Sequence, residues 1–261
     1  MRFLRRGVPL HDAVAARIRS LPVGRVLDAG TGKGLLTRAL AVAGYQVHAI
    51  DCFPERFAPT DSGVFFLEGD LNHSLPYADE SFDYVACTVV IEHVENPQAL
   101  LREFHRVLRK DGRLYLSTPN ILNLSSRLRF LLEGGYDFFK YPLPEWAATG
   151  TADLHLHPIR YHELEYYLAD AQLAVEEVFT SLCHYDKRLF LFPVEFVSRL
   201  QMAIKNWRSA RPEEISTARL YRILGSTTLL YGEHLIVAAR KVLARPGLFN
   251  PDRALAGLVA R

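Results

Sequence analysis

The stretch VLDAGTGKG, Val26 to Gly34, sets three glycines within five residues directly behind an apolar run. An apolar strand, a glycine turn and a helix in that order aim backbone N–H groups and the positive end of a helix at whatever lies over the strand ends. Two phosphate-gripping versions of this device fit poorly. In the pattern GxxxxGK[ST], Leu27 stands where the first glycine belongs, and Gly34 stands where a Ser or Thr must bind magnesium. The dinucleotide fingerprint GxGxxG meets Leu35 at its third glycine, which weakens a nicotinamide site without excluding it. A third version needs the tight turn but no phosphate grip, as for a nucleoside carrying an amino-acid tail.

Other residues could take part in acid–base work. Asp51 ends an apolar stretch seventeen residues after Gly34, where a carboxylate can accept both hydroxyls of a ribose. His93 in VVIEHV follows another apolar run, with Glu92 placed to orient it or to cap a turn. In DLHLHP, strand alternation would put Asp153, His155 and His157 on one face. Three such groups suit a metal ion, yet no fourth ligand is evident, so no metal is expected. A substrate-facing base is the better reading for His155 or His157, because histidine titrates near neutrality. The bland alternatives are a loop anchor for His93 and a solvated loop for the other two.

The elements that must position these residues alternate. RVLDAG, QVHAID, VFFLEGD, FDYVACTVV and DGRLYLSTP read as strands, the third and fourth of them buried. GLLTRALAVAG is a helix closed by Gly44, and NPQALLREFHRVLRK one capped by Asn96 with Pro97 at its first position. Residues 8–20 form an amphipathic helix before them, RYHELEYYLADA is a later helix, and LAVEEVFTSL and GEHLIVAARK are later strands. Strands and helices in this rhythm predict an α/β, doubly wound, mainly parallel sheet covered on both faces. The expected layout is one domain over 1–245, with an aromatic lid at about 120–158, a helical insertion at about 183–232 and a tail at 246–261. The lid aromatics are Tyr136, Phe138, Phe139, Tyr141 and Trp146, suited to a planar ring or a sugar face but equally to pinning the loop.

Composition removes several classes. The 31 basic residues against 29 acidic ones leave a formal charge of +2, too weak a field to imply nucleic acid. The three cysteines, Cys52, Cys87 and Cys183, form neither a CxxC pair nor a disulfide framework, and the N-terminus lacks the apolar core of a signal peptide. A reducing, cytoplasmic setting is expected. No apolar window is long enough to span a bilayer. The stretch 188–211 mixes apolar residues with Arg188, Arg199, Lys205, Arg208 and Arg211. It is read as a packed insertion helix first, and otherwise as a contact with a membrane surface or a second copy of the chain.

In order, LDAGTGKG, HAID, LEGDLN and FDYVACTVVIEHV resemble the motifs of class I S-adenosylmethionine-dependent methyltransferases, type 11-like, in the bacterial group that includes quinone-pathway O-methyltransferases. The resemblance covers about residues 22–120 and reappears weakly at 155–182 and 233–241. It implies a Rossmann-like seven-stranded sheet with the last strand antiparallel, and S-adenosyl-L-methionine as cofactor, released as S-adenosyl-L-homocysteine. It further implies that the donor is held by Asp28, Gly30, Thr31, Gly32 and Gly34, by Asp51 and Cys52, by Asp70 and Leu71 at the adenine, and by Thr88 and Val89 near the sulfonium. The candidate catalytic residues are then His93, His155 and His157, acting on an oxygen of a small-molecule or glycan acceptor. A nicotinamide oxidoreductase and a catalytically silent adenosylmethionine-binding assembly protein are the alternatives.

Overall fold

The computed structural model describes residues 5–58, 63–140, 155, 157–185, 188–208 and 215–242. Tyr141, Trp146, Asp153 and the tail lie outside the described residues, so the lid expectation is met by structure only as far as residue 140 and at 155 and 157–158.

In chain order the described elements are β1 (Arg5–Gly7), α1 (Leu10–Arg19), β2 (Arg25–Ala29), α2 (Leu35–Val42), β3 (Gln46–Asp51), β4 (Val64–Glu68), β5 (Phe82–Thr88), α3 (Pro97–Val107) and β6 (Leu108–Pro119). They continue with α4 (Leu124–Glu133), α5 (Tyr161–Asp170), β7 (Leu173–Phe179), β8 (Leu182–His184), α6 (Arg188–Arg208), α7 (Ile215–Leu224), α8 (Thr227–Tyr231) and β9 (His234–Lys241). Seven strands form one sheet in the order β4-β3-β2-β5-β6-β9-β7. Only β9, the last in sequence, runs antiparallel to its neighbours β6 and β7. The predicted doubly wound sheet is therefore present, antiparallel last strand included.

Period-two alternation sends side chains to two apolar layers. Leu27, Val85 and Cys87 pack with Leu101, Phe104, Leu164 and Leu168 of α3 and α5 on one face. Val26, Tyr84 and Ala86 pack with Val14, Ile18, Leu36 and Leu40 of α1 and α2 on the other. The expected caps are present too: the Asn96 side chain accepts from the Ala99 N–H with Pro97 at the first helical position, and Gly44 turns the chain after α2 with φ +89°. One strand differs from expectation. VFFLEGD does form β4, but at the edge of the sheet, where it pairs with β3 alone and leaves Phe65 53% exposed. A run of consecutive apolar residues does not say how many neighbours its strand will have. The sequence also gave no sign of the small antiparallel sheet in which β1 pairs with β8, three residues each, tying the N-terminus to the start of the insertion.

Topology fixes where ligands can sit. The chain winds outward through β2, β3 and β4, then crosses back to place β5 on the other side of β2. The strand order thus reverses between β2 and β5, and a crevice opens there beyond their carboxyl ends. β7 runs parallel to β6, and β9 starts opposite the end of β6, with His234 paired to Pro119. The insertion that joins β7 to β9 is therefore anchored at that same edge of the sheet. The two apolar layers hold this frame, and Phe104, fully buried in α3, belongs to the larger one. Phe104→Ala is expected to lower the unfolding free energy by roughly 3–5 kcal/mol, read by urea denaturation.

Candidate functional site

The glycine loop leaves β2 and is tied to the end of β3. The N–H groups of Gly30 and Thr31 donate to the Ile50 carbonyl at 2.8 and 3.3 Å. The Gly32 N–H donates to Asp51 Oδ2 at 2.8 Å, and the Phe53 N–H donates to Asp51 Oδ1 at 2.9 Å. Gly30 and Gly32 both have positive φ, +74° and +51°. They differ in surroundings: a Cβ on Gly30 would sit 2.3 Å from Val90 Cγ2, whereas one on Gly32 would meet nothing within 4 Å. Gly30 is thus needed for close backbone packing, and Gly32 borders open space where a ligand can approach the backbone.

Beneath the loop, Asp28 is buried. Its Oδ2 accepts the hydroxyls of Thr31 at 3.0 Å and Thr37 at 2.6 Å, and burial holds its carboxyl above the ordinary value. Its Oδ1 is buried with no hydrogen-bond partner. Asp28 therefore braces the loop through one oxygen and keeps the other for a donor not supplied by the described protein, as an amino group would be. Asp51 is likewise committed to one bond at each oxygen, which leaves a carboxylate two further acceptor positions. Cys52 follows it and is exposed.

At the next strand end, Asp70 is exposed and accepts from the Asn72 backbone and side chain at 2.9 and 3.0 Å, while Leu71 is buried in the core. β5 ends at Thr88, and Val89 has φ +56°, with its N–H shared between the carbonyl and the hydroxyl of Ser117 at 3.1 Å. A β-branched residue in the left-handed region stores on the order of 1–3 kcal/mol. This turn brings Val90 onto Gly30, and Glu92 and His93 follow directly after it.

Glu92 is fully buried, with neither carboxylate oxygen hydrogen-bonded among the described residues, and burial pushes its pKa up to about 8. His155 lies beside it, with Nε2 4.0 Å from Glu92 Oε1 and its ring 4.6 Å from that of His93. The His155 Nδ1 is 2.8 Å from the Phe138 carbonyl, an oxygen that can only accept. Nδ1 must then carry the proton, and in the neutral ring Nε2 is the basic nitrogen. Among the described residues, one ligand atom from each of Glu92, His93 and His155 falls within 4.8 Å of the others, so these three form a titratable cluster, while Asp153 lies outside the described residues. His157 takes no part in it: its N–H donates to the Glu92 carbonyl at 3.0 Å, and it borders a separate surface cleft with Glu95, Gln98 and Tyr167.

The described lid aromatics divide in role. Tyr136 stacks on Phe130 and Phe139 packs edge-on against His155, which pins the segment. Phe138, with φ +68°, is half exposed and lies against His234. It walls a cleft of about 440 Å³ with Asn123, Ser125, Asp137, His184 and Glu233. The Phe138 carbonyl's hold on His155 was not legible in the sequence, because a backbone contact carries no side-chain signature.

Comparison with known proteins bears on this arrangement. The sequence model of a family described as a methyltransferase domain matches residues 27–116. A ubiquinone biosynthesis O-methyltransferase of Xanthomonas oryzae pv. oryzae is 34% identical over 184 residues, 65% of this chain and 73% of that protein. Its counterpart in Xanthomonas campestris pv. campestris is 41% identical over 129 residues, 43% of this chain, and the match spans about half, 52%, of its length. An S-adenosylmethionine-dependent methyltransferase structure from Mesorhizobium loti superposes with a TM-score of 0.52 at 20% identity, covering 88% of this chain and 98% of its own, which shows a shared fold.

Glu92 predicts a specific pH dependence. Its ordinary pKa is 4.5 and its folded value about 8, so between them the folded chain keeps a proton that the unfolded chain has released. Stability from this group is full below about pH 4.5, falls as pH rises toward 8 by at most about 1.4 kcal/mol per unit, and then levels off. Urea denaturation at several pH values in that window is expected to show the decline, and Glu92→Gln is expected to flatten it.

Proposed function

The chain belongs to the class I S-adenosylmethionine-dependent methyltransferases, and from that premise we propose that it methylates an oxygen of a small, ring-bearing acceptor, with His155 as the base. The observation that carries this reading is the tautomer of His155. Because Nδ1 donates to the Phe138 carbonyl, Nε2 carries the basic lone pair of the neutral ring, 4.0 Å from Glu92 just beyond the end of β5.

The residues present fit the donor. Gly32 borders open space, Asp28 keeps an unpartnered oxygen, and Asp51 keeps acceptor positions at the end of β3. When bound, the donor supplies a methyl group on a cationic sulfur, already activated for in-line displacement. Protein chemistry is then limited to alignment, exclusion of water and removal of one proton. His155 Nε2 takes the acceptor's hydroxyl proton as the oxygen gains its methyl group. Glu92, kept protonated by burial up to about pH 8, puts no negative charge beside the ring, and a neutral imidazole is the basic form. Phe139 shields one side of the ring. The cleft offers the aromatic side chains of Phe138 and Tyr231 together with Asp137, Asn123 and Ser125, a lining suited to a ring with hydroxyl groups, either a phenol or a sugar. The named O-methyltransferase relatives and the histidine base both favour oxygen over nitrogen as the acceptor atom.

Calorimetric titration with S-adenosylmethionine and S-adenosylhomocysteine tests the donor site. Micromolar binding is expected, weakened roughly 10- to 100-fold by Asp51→Ala, with no heat from NADH. A preference for NADH would refute the donor assignment. In an acceptor screen begun with catechols and glycans, His155→Ala is expected to lower kcat by about 10²- to 10⁴-fold while leaving donor affinity in place. An unchanged kcat would remove the base from the mechanism.

A further inference from the structure

α6 carries an outer face that the catalytic reading does not use. Counting about 100° per residue, Phe192, Ala203, Phe196, Trp207, Leu200, Pro193, Ile204, Val197 and Phe190 follow one another around about 160° of the helix. All nine are exposed, Phe190 to 84% and Trp207 to 78%. The opposite side packs inward: Leu191 and Val194 join Leu124 and Leu128 of α4, and Met202 lies against Gly225 at the end of α7. α6 thus packs inward on one side and is apolar toward solvent on the other. Isolated exposed apolar residues are ordinary, but a contiguous stripe along a 21-residue helix is not.

The charges on the helix indicate what the stripe meets. Its single acid, Glu195, is buried, accepting from Tyr231 and from Arg199, which also reaches the Gly225 carbonyl. Among the described side chains of α6 the remaining charges are Lys205 and Arg208, both exposed and both on the same border of the apolar stripe. A second copy would bring the same apolar stripe and the same two cations, with no acid on the described outer face of the helix to pair them. A bilayer containing anionic lipid supplies hydrocarbon for the stripe and phosphate for the cations at matching depths. The helix is about 31 Å long at 1.5 Å per residue, the size of helices that lie in a membrane interface, and Trp207 sits near its basic end. No helix among the described residues is long and apolar enough to cross a membrane, so the contact is peripheral.

We propose that the outer face of α6 docks the protein on the surface of an anionic lipid bilayer, with Phe192, Phe196, Leu200 and Trp207 entering the interface and Lys205 and Arg208 pairing with headgroup phosphates. The proposal does not depend on the acceptor. It does place the active edge of the sheet at a lipid surface, because the insertion is anchored there and Leu191 of α6 lines the cleft beside Phe138.

Co-sedimentation of the full chain with vesicles tests it, using phosphatidylcholine alone or an equal mixture with phosphatidylglycerol. Pelleting with the mixed vesicles is expected, on the order of tenfold weaker with phosphatidylcholine alone and weakened by salt. Phe196→Asp with Trp207→Asp should abolish it, and Lys205→Glu with Arg208→Glu should reduce it roughly tenfold or more. These side chains are exposed, so calorimetric donor binding should persist in the variants and report that they fold. In the unmodified protein, Trp207 emission should shift to the blue on adding mixed vesicles, and Trp207→Tyr should remove the shift while Trp146 remains. No pelleting with either vesicle, pelleting unaffected by the variants, or a dimer in sedimentation velocity that Phe196→Asp dissociates without any vesicle binding would each overturn the proposal. Vesicle binding in a chain that fails to bind the donor would instead sink the catalytic reading and leave the docking face standing.

Discussion

The candidate site depends on the fastening of the glycine loop to the end of β3. Three consecutive N–H groups, those of Gly30, Thr31 and Gly32, are committed to Ile50 and Asp51. Two positive φ values make that geometry attainable, and Asp28 braces it from below through Thr31 and Thr37. The consequence is a turn that is rigid before any ligand arrives, so little ordering cost falls on binding. Its partner across the crevice is the strained turn at Val89, fixed by Ser117 of β6. Val90 closes the gap by packing where a side chain on Gly30 would have to be, so the two walls fix each other's spacing.

Against that rigid frame, Glu92 is an expense that the fold tolerates. A buried carboxyl group with no hydrogen-bond partner among the described residues costs stability whenever it ionises, and its elevated pKa expresses that cost. Perturbed groups of this kind concentrate where chemistry occurs. Here the neighbours are two histidine rings and an aromatic wall. In the proposed mechanism the protonated acid puts no negative charge beside the His155 ring, whereas an ionised carboxylate there would favour the imidazolium.

The sheet was legible in the sequence because burial on both faces writes continuous apolar runs, and glycine, Asn-Pro and Asp-Gly signals punctuate them. The residues assigned to the donor sit at strand ends, and strand ends are where apolar runs stop, so their positions in the fold were legible for a related reason. Neighbour relations left less trace. VFFLEGD reads as a buried strand, yet it became the edge. The β1–β8 pairing rests on two segments of three residues, too short to show alternation. Of the histidines, alternation grouped His155 with His157, whereas the folded chain turns His155 toward Glu92 and His93 and leaves His157 outside. That outcome is set by the Phe138 carbonyl and by the Glu92 backbone, neither of which a side-chain pattern can encode.

The insertion shows how one topological choice connects chemistry to surroundings. Because β9 runs antiparallel and enters the sheet between β6 and β7, its first residue lies at the carboxyl edge of the parallel strands. Whatever joins β7 to β9 must therefore leave and return at the edge where ligands bind, and added length there enlarges the site without disturbing the core. In this chain the added length is α6, α7 and α8, and it contributes Leu191, Leu230 and Tyr231 to the cleft. The same helix that walls the cleft on its inner side presents aromatic residues outward. The proposed acceptor cleft and the proposed docking face thus share one segment that contributes no residue to the glycine loop, so changes in it leave that loop's own hydrogen bonds in place.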